Sequence, residues 1–184
     1  MLYASNNRFK KKIVENICKN ISQKNIISIA CVNTQKHITI SGNKYAITKA
    51  IKIFKILGAK IIPLNINIPI HCILMKPIIK QFHNLLNTIK IKKPIIPYVN
   101  NVDVKFETHP EKIKNALIRH IYCTVHWYNC MKYIEKKHIF NFIEFNTCNI
   151  LNKFSQHITK KNNVITLYNQ QMLDIALKKY LFKT

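Results

Sequence analysis

The chain has 184 residues, 48% of them apolar, and its 30 basic against 7 acidic residues give a formal net charge of +23. Apolar residues interleaved with Lys and Asn suit a folded domain with a real core and exclude a disordered tail; no apolar run reaches the length of a membrane span. The charge argues only weakly for nucleic acid, because nearly all of it is lysine spread along the chain, with Arg8 and Arg119 the only arginines, and abundant Ile, Lys and Asn are what AT-rich codons produce.

The first residues, Met1-Leu2-Tyr3-Ala4-Ser5, read as a short strand that runs directly into a charged amphipathic stretch. No secretory signal is read there, and a cytoplasmic protein is the expectation. Residues 8–22 place Phe9, Ile13, Val14, Ile17 and Ile21 at helical spacing. The β-rich runs 26–32 and 37–41, separated by the polar Asn33-Thr34-Gln35-Lys36, predict a hairpin. Ser41-Gly42-Asn43 opens a second helix with Ala46, Ala50, Ile51, Phe54 and Leu57 on one side, and Gly58 is its stop. A strand over 59–68 completes the order β-α-β-β-α-β, the ferredoxin-like pattern.

Beyond residue 70 the pattern is one of alternation. A helix is expected from Pro77 through Phe82, Leu85 and Leu86, then a buried strand over 94–102. Thr108-His109-Pro110-Glu111 has the spacing of a capping box with proline near the first helical position, so a helix runs to about Tyr122. A short helix after Trp127, a strand over 139–145, a helix over 149–158, a strand over 163–168 and a closing amphipathic helix follow. Such alternation implies a largely parallel sheet, with too few strands here to complete it. The domain expectation is 1–70 for the small subdomain and 71–184 for the remainder.

Six cysteines, at 18, 31, 72, 123, 130 and 148, show no C-x-x-C spacing and read as free thiols of a reducing compartment. Cys123, His126 and Cys130 would share one helix face, but no fourth ligand accompanies them, so no metal is expected. No cofactor is expected either.

Several stretches together resemble one family, the bacterial malonyl-CoA:acyl carrier protein transacylases. The stretch "NINIPIHCILMKP" resembles the family's strand-to-helix junction around its catalytic histidine, and "IIPYVNNVDVKFET" the strand and loop that follow. "ALIRHIYCTVHW" is similar to the helix leading to a V-x-W pattern, here Val125-His126-Trp127, and "ITISGNKYAI" and "LGAK" match parts of the small subdomain. The resemblance covers nearly the whole chain. It implies a ferredoxin-like subdomain followed by the C-terminal part of an α/β-hydrolase-like acyltransferase domain. It also implies a two-step transfer: a serine attacks the malonyl thioester of coenzyme A, a histidine takes its proton, and the acyl group passes to the thiol of acyl carrier protein. By matched position His71 is the general base, and the backbone carbonyl of His120 orients it. Asn33 remains as a candidate substrate-facing amide.

The nucleophile is not in this sequence. A G-x-S-x-G elbow needs glycines four residues apart, and the only two glycines are Gly42 and Gly58. Arg119 is not assigned to the substrate carboxylate. Where the family has Gly-Pro-Gly after a glutamate, Glu144 is followed by Asn146-Thr147-Cys148, which should alter the backbone if that turn needs positive φ. The chain therefore reads as the C-terminal portion of the fold. It is either half of a split malonyltransferase completed by a separately encoded N-terminal half, with malonyl-CoA and acyl carrier protein as partners, or a non-catalytic remnant that at most binds acyl carrier protein. A basic nucleic-acid binder is the least supported reading, and no nucleic-acid or membrane partner is expected.

Overall fold

The computed structural model describes residues 1–5, 11–23 and 25–180, with only the backbone described for 2–5. Phe9 and the start of the helix expected from residue 8 lie outside the described residues. The chain divides into two compact units, Met1–Cys130 and Met131–Thr184.

The first unit opens with β1 (Leu2–Ser5), α1 (Lys11–Ile21), β2 (Ile27–Val32), β3 (His37–Gly42), α2 (Lys44–Ile56) and β4 (Lys60–Pro63). Their antiparallel sheet has the order β2-β3-β1-β4, so the two β-α-β arms interlock around β3 and β1. The expected hairpin closes as β2 and β3. Buried Thr34 makes its turn, because its Oγ1 accepts the backbone N–H groups of Lys36 and His37. At the hairpin's other end Gly42 stands opposite Ile27. A Cβ at Gly42 would lie 2.4 Å from the Ile26 carbonyl oxygen, too close for any other residue.

Helical and strand periodicities converge on one core. Val14, Cys18 and Ile21 of α1 and Ala46, Ala50 and Phe54 of α2 pack on Ile27, Ile29, Val32, Ile38 and Ile40. Small residues at 46 and 50 let α2 approach closely. Ile13 and Leu57, expected on the buried faces, are exposed. Leu57 is the C-cap of α2, one residue past its last turn.

The strand expected over 59–68 is confined to Lys60–Pro63. A 3-10 segment, Ile73–Ile78, precedes α3 (Ile79–Thr88), so Pro77 lies inside the tighter helix and does not start the α-helix. The buried strand expected over 94–102 shrinks to β5 (Tyr98–Asn100), paired antiparallel with β6 (Lys105–Glu107), a strand that periodicity did not reveal. Pro94 and Pro97 remove two ladder donors, and Ile95 and Ile96 are 103% and 80% exposed. The capping box also fails to form. The carboxylate of Glu107 accepts the N–H groups of Thr108 and His109, while Glu111 pairs with Lys114, leaving His109 as the N-cap of α4 (Pro110–His120).

Residues 71–130 fall in the same compact unit as the sheet. The reason is local: Val125 adds to the edge of β2 through Val32 N–H to Val125 O and Val125 N–H to Ala30 O, both 2.8 Å, and Thr124 Oγ1 donates to Ile29 O. The chain then enters α5 (Trp127–Glu135).

The second unit contains β7 (Asn141–Phe145), α6 (Ile150–Ile158), β8 (Asn163–Leu167) and α7 (Gln170–Tyr180). β7 and β8 pair in parallel, in register from Asn141 opposite Asn163 to Phe145 opposite Leu167. They are the only parallel strand pair among the described residues, so the largely parallel sheet expected is represented by two strands. Buried Glu144 holds the loop to α6, accepting from Leu151 N–H, Asn152 N–H and Thr166 Oγ1. A carboxylate there is favoured by the positive end of the helix. None of Asn146, Thr147 and Cys148 has positive φ, so this turn does without the conformations that glycine permits.

All six cysteines are unpaired; Cys18, Cys72 and Cys130 are buried, and Cys148 is the exposed one. Phe54→Ala removes the largest fully buried side chain, and urea unfolding should show a loss of about 3–5 kcal/mol with unchanged secondary structure at low denaturant.

Candidate active site

His71 lies in a turn between β4 and the 3-10 segment, and its backbone adopts φ 59°. Few residues other than glycine tolerate that region, though His is among those enriched there. Two hydrogen bonds hold it. His71 N–H donates to Ile121 O at 2.9 Å, and ring Nδ1 lies 2.7 Å from His120 O.

Both acceptors belong to the end of α4, where the last carbonyls of a helix have no partner within it. Tyr122 N–H and Cys123 N–H return to Arg119 O. His71 thus takes up the next two carbonyls with its main chain and its ring. The helix dipole concentrates negative partial charge at this terminus, which strengthens both bonds.

The acceptor's chemistry sets the tautomer. A carbonyl oxygen can only accept, so Nδ1 carries the proton, and in the neutral ring the Nε2 lone pair is left as a proton acceptor. Burial pushes the His71 pKa below 6.5, against the opposing effect of the His120 carbonyl bond. The ring is therefore neutral at physiological pH. The His120 ring stands beside it, with centroids 5.0 Å apart and planes inclined by 31°. Its pKa is also lowered, first by burial and then by the neighbouring His71.

A second layer fixes the end of α4. Arg119 donates from both terminal nitrogens to Asp103, at 2.7 and 2.6 Å, tying the β5–β6 turn to the helix one residue before His120. Fully buried Asn100 shapes that turn, its Oδ1 accepting from Val102 N–H and Asp103 N–H. Arg119 holds the Asp103 carboxyl below its ordinary range, chiefly by hydrogen bonding. This pair was not foreseen, because an aspartate in "VNNVD" and an arginine beside His120 read equally well as two solvated charges.

Asn33 sits at the β2–β3 turn, its amide nitrogen 3.4 Å from Thr39 Oγ1 and its N–H bonded to His37 O. Thus the structure brings His71 and His120 together and gives Asn33 a partner within its own hairpin. Cys123, His126 and Cys130 form no metal-holding group among the described residues. No described helix is long and apolar enough to cross a membrane.

No family model matches the chain. Among curated proteins, it is 44% identical over 164 residues to the malonyl CoA-acyl carrier protein transacylase of Buchnera aphidicola subsp. Schizaphis graminum (strain Sg). The chain is homologous to the malonyl CoA-acyl carrier protein transacylases. That match covers 89% of this chain and 51% of the relative, so the chain spans about half the length of the transacylases it matches. Solved structures agree. An acyl carrier protein S-malonyltransferase from Vibrio cholerae O1 superposes with TM-score 0.89 at 30% identity, over 95% of this chain and 57% of that one. A malonyl-transacylase in complex with its type II PKS acyl-carrier protein gives TM-score 0.91 at 29% identity, over 97% and 58%.

Two titrations check the site. Nitrogen-detected NMR should show His71 as the Nδ1–H tautomer with a pKa below 6.5. Because the folded values of His71, His120 and His126 are lowered by burial, the unfolded chain binds more protons near and below that pH. Their stabilising contribution should be complete above about pH 6.5 and lost as pH falls through the folded values, seen as a falling urea midpoint.

Proposed function

We propose that this chain is the C-terminal, histidine-bearing portion of a cytoplasmic malonyl-CoA:acyl carrier protein S-malonyltransferase of fatty acid biosynthesis. On this reading residues 1–70 form a ferredoxin-like subdomain, supported by their β-α-β-β-α-β order and the β2-β3-β1-β4 sheet. Residues 71–184 belong to the acyltransferase domain. The observation that carries the reading is the 2.7 Å contact of His71 Nδ1 with the His120 carbonyl, which leaves Nε2 as the base.

In the proposed reaction a serine outside these 184 residues attacks the malonyl thioester carbonyl. His71 Nε2 takes the hydroxyl proton and returns it to the departing coenzyme A thiolate, leaving a malonyl-serine ester. The thiol of acyl carrier protein then gives its proton to Nε2, attacks the ester, and His71 reprotonates the serine. The His120 carbonyl stabilises the imidazolium formed in each step, the part an acid plays in hydrolase triads. Asn33 is kept as a substrate-side amide. Acyl carrier protein is the proposed partner, supported by the carrier-protein complex of the related malonyl-transacylase and by a net charge of +23 suited to an acidic partner.

The test is transfer of malonyl from coenzyme A to acyl carrier protein, with and without a co-expressed segment carrying a G-x-S-x-G elbow. The chain alone should be inactive and the pair active. His71→Ala should lower the pair's kcat by about 100-fold or more, while His120→Ala, which keeps the carbonyl, should retain most of it. Transfer by the chain alone would overturn the missing-serine argument; a folded, inert pair would overturn the enzymatic reading.

A further inference from the structure

Arg119 and Asp103 are partly exposed, their side chains 36% and 29% accessible, and an ion pair so placed adds little to stability. What a forked pair does fix is direction, because two parallel N–H···O bonds allow one relative orientation of guanidinium and carboxylate. Both ends of this fork are themselves held. On the helix side the Arg119 carbonyl accepts Tyr122 N–H at 3.1 Å and Cys123 N–H at 2.8 Å, which closes α4 and leaves the next two carbonyls, those of His120 and Ile121, to His71. On the turn side Asn101 O accepts His126 N–H at 2.9 Å and Asn100 O accepts from Cys130 Sγ at 3.6 Å. The chain then passes from Asp103 directly into the positive-φ backbone of Val104. Strain of this kind collects at functional sites, where the surroundings hold it in place.

From this we infer that Asp103 and Arg119 are positioning residues for the base: their fork sets where the His120 carbonyl stands, and through it the ring orientation and the Nδ1–H tautomer of His71. The path is short and continuous. It runs from the Asp103 carboxylate to the Arg119 guanidinium, along the main chain to the next residue, His120, and across 2.7 Å from its oxygen to Nδ1. Geometry is the means here and charge is not, since what moves the His71 titration is its own burial and the His120 carbonyl. A small movement is enough. Shifting the carbonyl away by about 1 Å stretches the contact beyond hydrogen-bonding distance, and the ring then has no bond that decides which nitrogen carries the proton. The inference rests on the malonyltransferase reading only for its effect on turnover, not for its effect on the ring.

Nitrogen-15 NMR of the full chain above about pH 8, where the imidazoles are neutral, reads the His71 tautomer directly. Arg119→Met and Asp103→Asn should each raise the Nε2–H form by about fivefold or more, and the two together should do no more than one alone, because they break the same fork. Arg119→Lys, which keeps the charge and loses the fork, should fall between. Glu111→Gln removes the ion pair with Lys114 in the first turn of the same helix and should leave the tautomer unchanged. Circular dichroism and urea midpoints establish that the variants fold. With a co-expressed segment carrying the elbow, Arg119→Met and Asp103→Asn should lower kcat by about tenfold or more with KM little changed. An unchanged tautomer, additive effects of the two substitutions, or an Arg119→Lys chain that matches the wild type would each overturn the positioning role, as would an active pair whose kcat is indifferent to Arg119→Met. A shifted tautomer in a pair that transfers no malonyl upholds the positioning of His71 and overturns the enzymatic reading.

Discussion

The end of α4 and the turn at His71 are one object, and the candidate site depends on it. A helix terminus leaves carbonyls that must find donors, and a left-handed turn presents a main-chain N–H and a side chain close together. Here the two needs are met at once, with Ile121 O taking the N–H and His120 O taking the ring. The same contact fixes backbone, ring orientation and tautomer. No acidic side chain is required, because the helix carbonyl supplies the negative partial charge. Anything that moves the end of α4 moves the imidazole.

The support for α4 runs outward through side chains that look unremarkable in sequence. Asp103 and Arg119 form a forked pair, and Asn100 shapes the turn that offers Asp103. In that turn Val104 adopts φ 56°, a conformation unfavourable for a β-branched residue. Its N–H is bonded to Asn100 O. The strain is held by this hydrogen bond and by the ion pair next to it, so the hairpin acts as a brace for the helix and not as a sheet element in its own right.

Local patterns were legible wherever one physical cause dominated. The β-rich runs "IISIACV" and "HITIS" and the helical spacing in α1 and α2 yielded the order of the first elements, because their apolar residues converge on one core. The stretch 94–102 misled, since apolar content suggested burial while two prolines denied the ladder. The capping box at Thr108 misled for another reason: a buried glutamate one residue earlier, Glu107, took the donors first. The meeting of His71 with His120 could not be read from spacing. It joins residues 49 apart through a helix end, and only resemblance to known sequences pointed to it. The Asp103–Arg119 brace lay below even that signal, because neither residue type nor spacing distinguishes a forked pair from two solvated charges.

The cysteines carry a practical consequence. Burial pushes the thiols of Cys18, Cys31 and Cys130 up to about 12, 11 and 11, and raises that of Cys123 as well. Cys72 is wholly buried. Thiolate is the reactive species toward alkylating reagents, so these five are poor targets in the folded chain. Cys148, exposed just before α6, is left as a natural attachment point. A maleimide dye or spin label placed there without mutagenesis would sit three residues from Phe145, close enough to report on whatever approaches that end of β7.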